Sequence, residues 1–230
     1  MNGMAQAEQA SEVGRGPLSR GAAVVYWLLV LEVLLLLTCL PTVVVLLLLD
    51  RDASNLPLAV LAFLPVAPAL VAGVAAVRAW PRDDDLSPAR PFLRAYRRDL
   101  VATLRWWVPA VLLLAVLSFN LAHLGGVAGG AALLPVLLVI ATLVVLWCGQ
   151  MVVLTASFNL RTRDAARIAV AEAGAQWRFS LGVLGLLVVG VAVLLASEIV
   201  LLLLVWAFVG LLALTARPFV AAVTAKYTRR

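Results

Sequence analysis

Residues 22–49 read AAVVYWLLVLEVLLLLTCLPTVVVLLLL and stop at Asp50-Arg51-Asp52. An α-helix crosses the hydrocarbon core of a bilayer with about 20 predominantly apolar residues, so this run is a membrane span with length to spare. Its one carboxylate is Glu32. The rest of the chain has the same character: 64% of its 230 residues are apolar and only 13% are charged, with a mean hydropathy of +1.07. Soluble domains carry about 25% charged residues. The composition therefore predicts an integral membrane protein with room for five or six spans, which excludes a soluble catalytic domain.

Working outward, residues 1–21 are polar and small and predict a disordered cytoplasmic tail. A second apolar run, 56–80, contains Pro65 and Pro68, which should kink it; neighbouring helices can satisfy the carbonyls that proline frees. Further spans are predicted over 106–121 and 131–158, separated by the glycine-rich turn 125–130. The last apolar stretch is divided at Ser197-Glu198 into spans 181–196 and 199–216. The fold expected is an all-α polytopic transmembrane bundle of six spans, one domain over 22–225, with a basic tail at 226–230.

Charge sets the orientation. With both termini in the cytoplasm, seventeen of the eighteen lysines and arginines fall on the cytoplasmic side and only Arg51 lies outside, a strong positive-inside asymmetry. A five-span arrangement puts Arg217, Lys226, Arg229 and Arg230 outside and is disfavoured. Tyr26, Trp27, Trp80, Trp106, Trp107 and Trp177 cluster near the predicted cytoplasmic edges, as an interfacial aromatic belt does.

The longest internal polar segment precedes the third span. Over 88–105, at 100° per residue, Phe92, Leu93, Tyr96, Leu100 and Leu104 share one face. Arg94, Arg98 and Arg105 lie opposite and Arg97 at the boundary. This predicts an amphipathic cytoplasmic helix lying in the membrane interface. Its arginines, Arg90, Arg94, Arg97, Arg98 and Arg105, have two readings. One is contact with anionic lipid headgroups. The other is a docking surface for a partner, because a guanidinium pairs bidentately with a carboxylate.

Glu32 is the candidate intramembrane functional residue, since a carboxylate within a span is costly unless it has a role. A structural hydrogen bond is the alternative, and no lysine or arginine lies at comparable depth to pair with it. His123 has no Cys, Asp or Glu at ligand spacing and reads as a loop residue. No nucleophile, acid pair, metal set or cofactor motif is assembled, and nothing points to nucleic acid, so no enzyme is expected. Cys39 and Cys148 sit in apolar runs as small hydrophobes. In the second run, Ala69 and Gly73, and separately Ala72 and Ala76, form small-residue faces that should seat a neighbouring helix closely.

An ordered set of short motifs, Gly16-Pro17-Leu18, Leu40-Pro41-Thr42, Pro65-Val66-Ala67-Pro68-Ala69, Arg78-Ala79-Trp80 and Phe92-Leu93-Arg94-Ala95-Tyr96-Arg97-Arg98-Asp99, resembles the YesL family of bacterial membrane proteins over roughly residues 16–225. Glu32 stands where that family usually has Asn in the first helix. The resemblance implies the bacterial cytoplasmic membrane and an accessory role near sugar ABC importers, with transporter subunits as partners. The alternative from the residues themselves is a small-solute transporter that uses Glu32.

Overall fold

The computed structural model describes residues 17–50, 52–80, 88–126, 130–197 and 204–227, with the side chains of 17–20, 194 and 195 left aside. Among the described residues all regular structure is helical. The α-helices are α1 (Pro17–Leu48), α2 (Leu56–Leu61), α3 (Val66–Ala79), α4 (Ala89–His123), α5 (Gly130–Ser157), α6 (Thr162–Ala175), α7 (Trp177–Ala196) and α8 (Val205–Tyr227). Four helices, α1, α4, α5 and α8, are each long and apolar enough to cross a membrane. Two bent pairs, α2 with α3 at 44° and α6 with α7 at 96°, raise the count to as many as six.

The core is built around α3. Its residues Ala67, Ala69, Val71, Ala72, Gly73, Val74 and Ala76 are all buried, and their positions cover every face of the helix. Small side chains permit this enclosure. A Cβ on Gly73 would stand 3.0 Å from Val209 Cγ1 of α8 and 3.3 Å from Leu35 Cδ2 of α1. Helices α1 and α3 run antiparallel. The rings of Trp27 and Trp80 stack 4.6 Å apart at one end, Leu35 meets Gly73 in the middle, and Thr42 bonds to Ala62 beyond the other end. Helices α7 and α8 are antiparallel too, with Phe179 stacked on Phe219 at 4.7 Å and Gly190 beside Phe208.

The kink expected at Pro65 and Pro68 is a full break between α2 and α3. Pro68 has no N–H for the carbonyl of Leu64, and two other helices supply the missing donors. The Trp107 indole N–H of α4 donates to the carbonyls of Leu64 at 3.0 Å and Phe63 at 3.2 Å. The Thr42 hydroxyl of α1 donates to Ala62 at 2.7 Å.

Several boundaries differ from the sequence expectation. Helix α1 starts at Pro17, inside the expected tail, whose residues 1–16 lie outside the described region. The separate interfacial helix over 88–105 and the third span over 106–121 are one helix, α4, of 35 residues. No breaker separates Arg105 from Trp106, and Pro109 is absorbed without a break. At about 1.5 Å per residue α4 is about 52 Å long, well beyond a hydrocarbon core of about 30 Å. Its arginine-bearing half does not lie apart from the bundle but runs antiparallel beside α3, its most extensive packing partner, with Trp107 level with the α2–α3 break. The alanine-rich segment between the fourth and fifth expected spans forms the helix α6. The last helix, Val205–Tyr227, runs past the expected end at 216, so part of the expected tail, Lys226 included, is helical. Ser197 closes α7 with its N–H on the Val193 carbonyl at 2.8 Å, while Glu198 lies outside the described residues.

Candidate functional site: an arginine edge and a buried carboxylate

The buried face of the first half of α4 is Phe92, Ala95, Asp99, Thr103 and Trp106, rotated from the expected Phe92-Leu93-Tyr96-Leu100-Leu104 stripe. Leu93 is 42% exposed. Packing within the bundle takes the smaller residues at 95, 99 and 103 in place of the leucines. Arg90, Arg94, Arg97, Arg98 and Arg105 are all exposed along the helix.

Asp99, the acidic residue of this helix, is turned inward at 9% exposure. Both its oxygens accept from the neighbouring Arg98, Oδ1 from Nε at 2.8 Å and Oδ2 from Nη2 at 2.7 Å. The edge thereby presents its arginines with the local acid already engaged.

Helix α6 and the residue before it add Arg161, Arg163 and Arg167 at the surface, and one of its two acids is likewise used internally. Glu172, 2% exposed, accepts from Lys226 Nζ of α8 at 2.6 Å and from the Tyr227 hydroxyl at 3.1 Å. The Lys226 ammonium, with smaller help from Tyr227, outweighs burial and holds the Glu172 carboxyl below the usual carboxylate range. No sequence signal links these residues, which are fifty-four positions apart.

Glu32 is 7% exposed. Its Oε2 accepts the backbone N–H of Trp206 at 2.8 Å, in the first turn of α8. The partner is thus a helix N-terminus, where unsatisfied N–H groups and the helix dipole favour negative charge. Its other oxygen, Oε1, is buried with no partner.

A second polar link lies between α5 and α7. Gln150 Nε2 donates to the Ser180 hydroxyl at 3.2 Å, and that hydroxyl donates to the Ala173 carbonyl at 2.9 Å.

The aromatic residues divide. Tyr26 and Trp177 are exposed, as a belt requires, but Trp27 and Trp106 are 2% and 4% exposed and belong to the core. Trp106 stands edge-on to Trp107 and Trp147, with ring centroids 5.8 and 6.0 Å away. His123, the last residue of α4, has its Nδ1 2.8 Å from the Phe119 carbonyl of its own helix. Among the described residues no three of His, Cys, Asp and Glu come together as a metal site.

An all-α chain with several long apolar helices is compatible with a multi-pass membrane protein. Residues 24–121, from α1 through most of α4, match the family described as "Protein of unknown function, DUF624". No curated protein matches the chain, and no solved structure does.

Proposed function

We propose that the chain is a six-span, non-enzymatic protein of the bacterial cytoplasmic membrane, with both termini inside. In this reading it is a YesL-like accessory or regulatory component of carbohydrate uptake that docks on an ABC-type importer. The observation that carries the docking is the arginine edge. Arg94, Arg97 and Arg105 stand exposed on one helix, and the Asp99 carboxylate among them is held by Arg98. Guanidiniums held in a row on a rigid helix match carboxylates on a partner surface. The match to a family of unknown function over α1–α4 is consistent with this reading and names no activity.

The test is affinity purification from native membranes in mild detergent. Permease or ATPase subunits should accompany the wild-type chain in stoichiometric amount. The triple reversal Arg94→Glu, Arg97→Glu, Arg98→Glu should remove them while membrane insertion persists; partners retained by the reversed chain would sink the docking role.

A second reading, small-solute transport through Glu32, is favoured by the unpartnered Oε1 buried at the head of α8. It predicts that Glu32→Gln removes pH-dependent uptake in proteoliposomes, and unchanged flux counts against it.

A further inference from the structure

Helix α6 begins at Thr162, preceded by Arg161 in an extended conformation, and no side chain caps it. The Arg161 carbonyl accepts the N–H groups of Asp164 and Ala165, at 2.9 and 3.0 Å. Those of Thr162 and Arg163 have no acceptor within the helix. This helix head walls a cleft of about 20 Å³ between α4, the end of α5 and α6, whose lining includes Asp99, Trp106, Thr155, Asn159 and Thr162. A volume of this size holds about one water-sized group.

A second, independent feature converges on the same cleft. Trp106 lines it, is 4% exposed, and has a buried indole N–H with no acceptor in the protein. Buried donors are rarely left so. The carboxylate in the lining, Asp99, has both oxygens on Arg98 and adds no net charge there. Asp164, in the first turn of α6, is exposed, as are Arg161 and Arg163. The cleft therefore brings two unpaired donors together, the head of α6 and the Trp106 indole, beside a carboxylate whose charge Arg98 balances.

We propose that this cleft is an anion site that takes one oxygen of a phosphate group, supplied by a phospholipid headgroup or by free phosphate. The chemistry is that of helix N-termini, whose N–H groups and dipole bind phosphate oxygens, with the Trp106 indole as a further donor and Arg161 and Arg163 at the rim. The site is distinct from the docking edge: it needs the head of α6 and not Arg94 or Arg97.

The experiment uses the full chain, delipidated in detergent. Inorganic phosphate is titrated by calorimetry, and phosphatidylglycerol is offered in mixed micelles with retained lipid counted by native mass spectrometry. Trp106→Phe, which keeps the ring plane and removes the N–H, should weaken binding about tenfold, the loss of one hydrogen bond to a charged acceptor. Arg161→Gln, an exposed substitution, should weaken it severalfold. Saturable phosphate binding with these losses supports the site with free phosphate as its source. Lipid retention with the same losses and no response to inorganic phosphate supports it with the headgroup as source. No binding of either probe, or binding unmoved by both variants, overturns it. Should Trp106→Phe fail to fold, Arg161→Gln decides: weaker binding supports the site and unchanged binding overturns it.

Discussion

Glu32 anchors the head of α8, and replacing it tests how that anchor works. The bond from Trp206 N–H to Oε2 is 2.8 Å. Glu32→Ala leaves that N–H without its acceptor in a buried setting, at about 1–3 kcal/mol. It also removes some buried methylene, about 0.8 kcal/mol per group. The alanine variant should therefore lose about 2–4 kcal/mol. Glu32→Gln keeps an acceptor oxygen and the volume, and should lose no more than about 1 kcal/mol, the most that a charge at a helix end contributes. Unfolding in mixed micelles with increasing denaturing detergent reads both values, and hydrogen exchange followed on a peptide covering 204–212 localises them. The alanine variant should exchange faster in the first turn of α8, with little change in α5. Equal costs for Ala and Gln, or exchange at the head of α8 that does not move, would refute the anchor. The small cost of Gln also makes Glu32→Gln a clean probe in the uptake assay, because lost flux in a stable protein is not lost fold.

The close approaches should be equally sensitive. Gly73→Val adds methyls beyond a Cβ already 3.0 Å from Val209 and should cost about 1–3 kcal/mol by overpacking. Gly149→Ala places a Cβ 2.6 Å from Val183 Cγ1 and should also lower the unfolding midpoint; an unchanged midpoint in either variant refutes the close packing. Thr42→Val and Trp107→Phe each strip a donor from the α2–α3 break, at about 1 kcal/mol apiece. Combined, they should be more than additive if both hold the same break, whereas strict additivity counts against a shared role. For Glu172, whose folded pKa lies below the ordinary value of 4.5, the stabilisation is complete above that value and fades as pH falls through the lower folded one. Thermal midpoints measured downward from about pH 6 should fall more steeply for the wild type than for Glu172→Gln, and parallel curves would exclude the ion pair as a source of the pH dependence.

What the sequence made legible follows from what carries periodic or compositional marks. Long apolar runs fixed α5 to within a residue at both ends and α1 at its charged end, because a run bounded by charge or glycine has few other ways to lie, whereas the unbounded start of α1 lies five residues before the expected one. Pro65 and Pro68 marked the break and predicted that neighbours would satisfy the freed carbonyls. Which neighbours did so depended on how α4 is staggered against α3, and no local pattern encodes that. The same stagger explains the misreading of 88–105. An isolated amphipathic stripe belongs at an interface, but alongside α3 the wall is alanine, glycine and valine. The face turned into the bundle is the one with Ala95, Asp99 and Thr103, not the one with the most leucine.

Glu32 was conspicuous because a carboxylate in an apolar run is anomalous wherever it sits. Its partner was invisible because it is a backbone N–H 174 positions away, present at every helix start and marked at none. Asp99 and Glu172 are inconspicuous for the converse reason. An acid among arginines looks like an ordinary surface charge until packing turns it inward. The inward turn of Asp99 leaves arginine as the dominant chemistry along the exposed edge of α4, so the most functional-looking feature of the sequence depends on an acid that no local pattern marks.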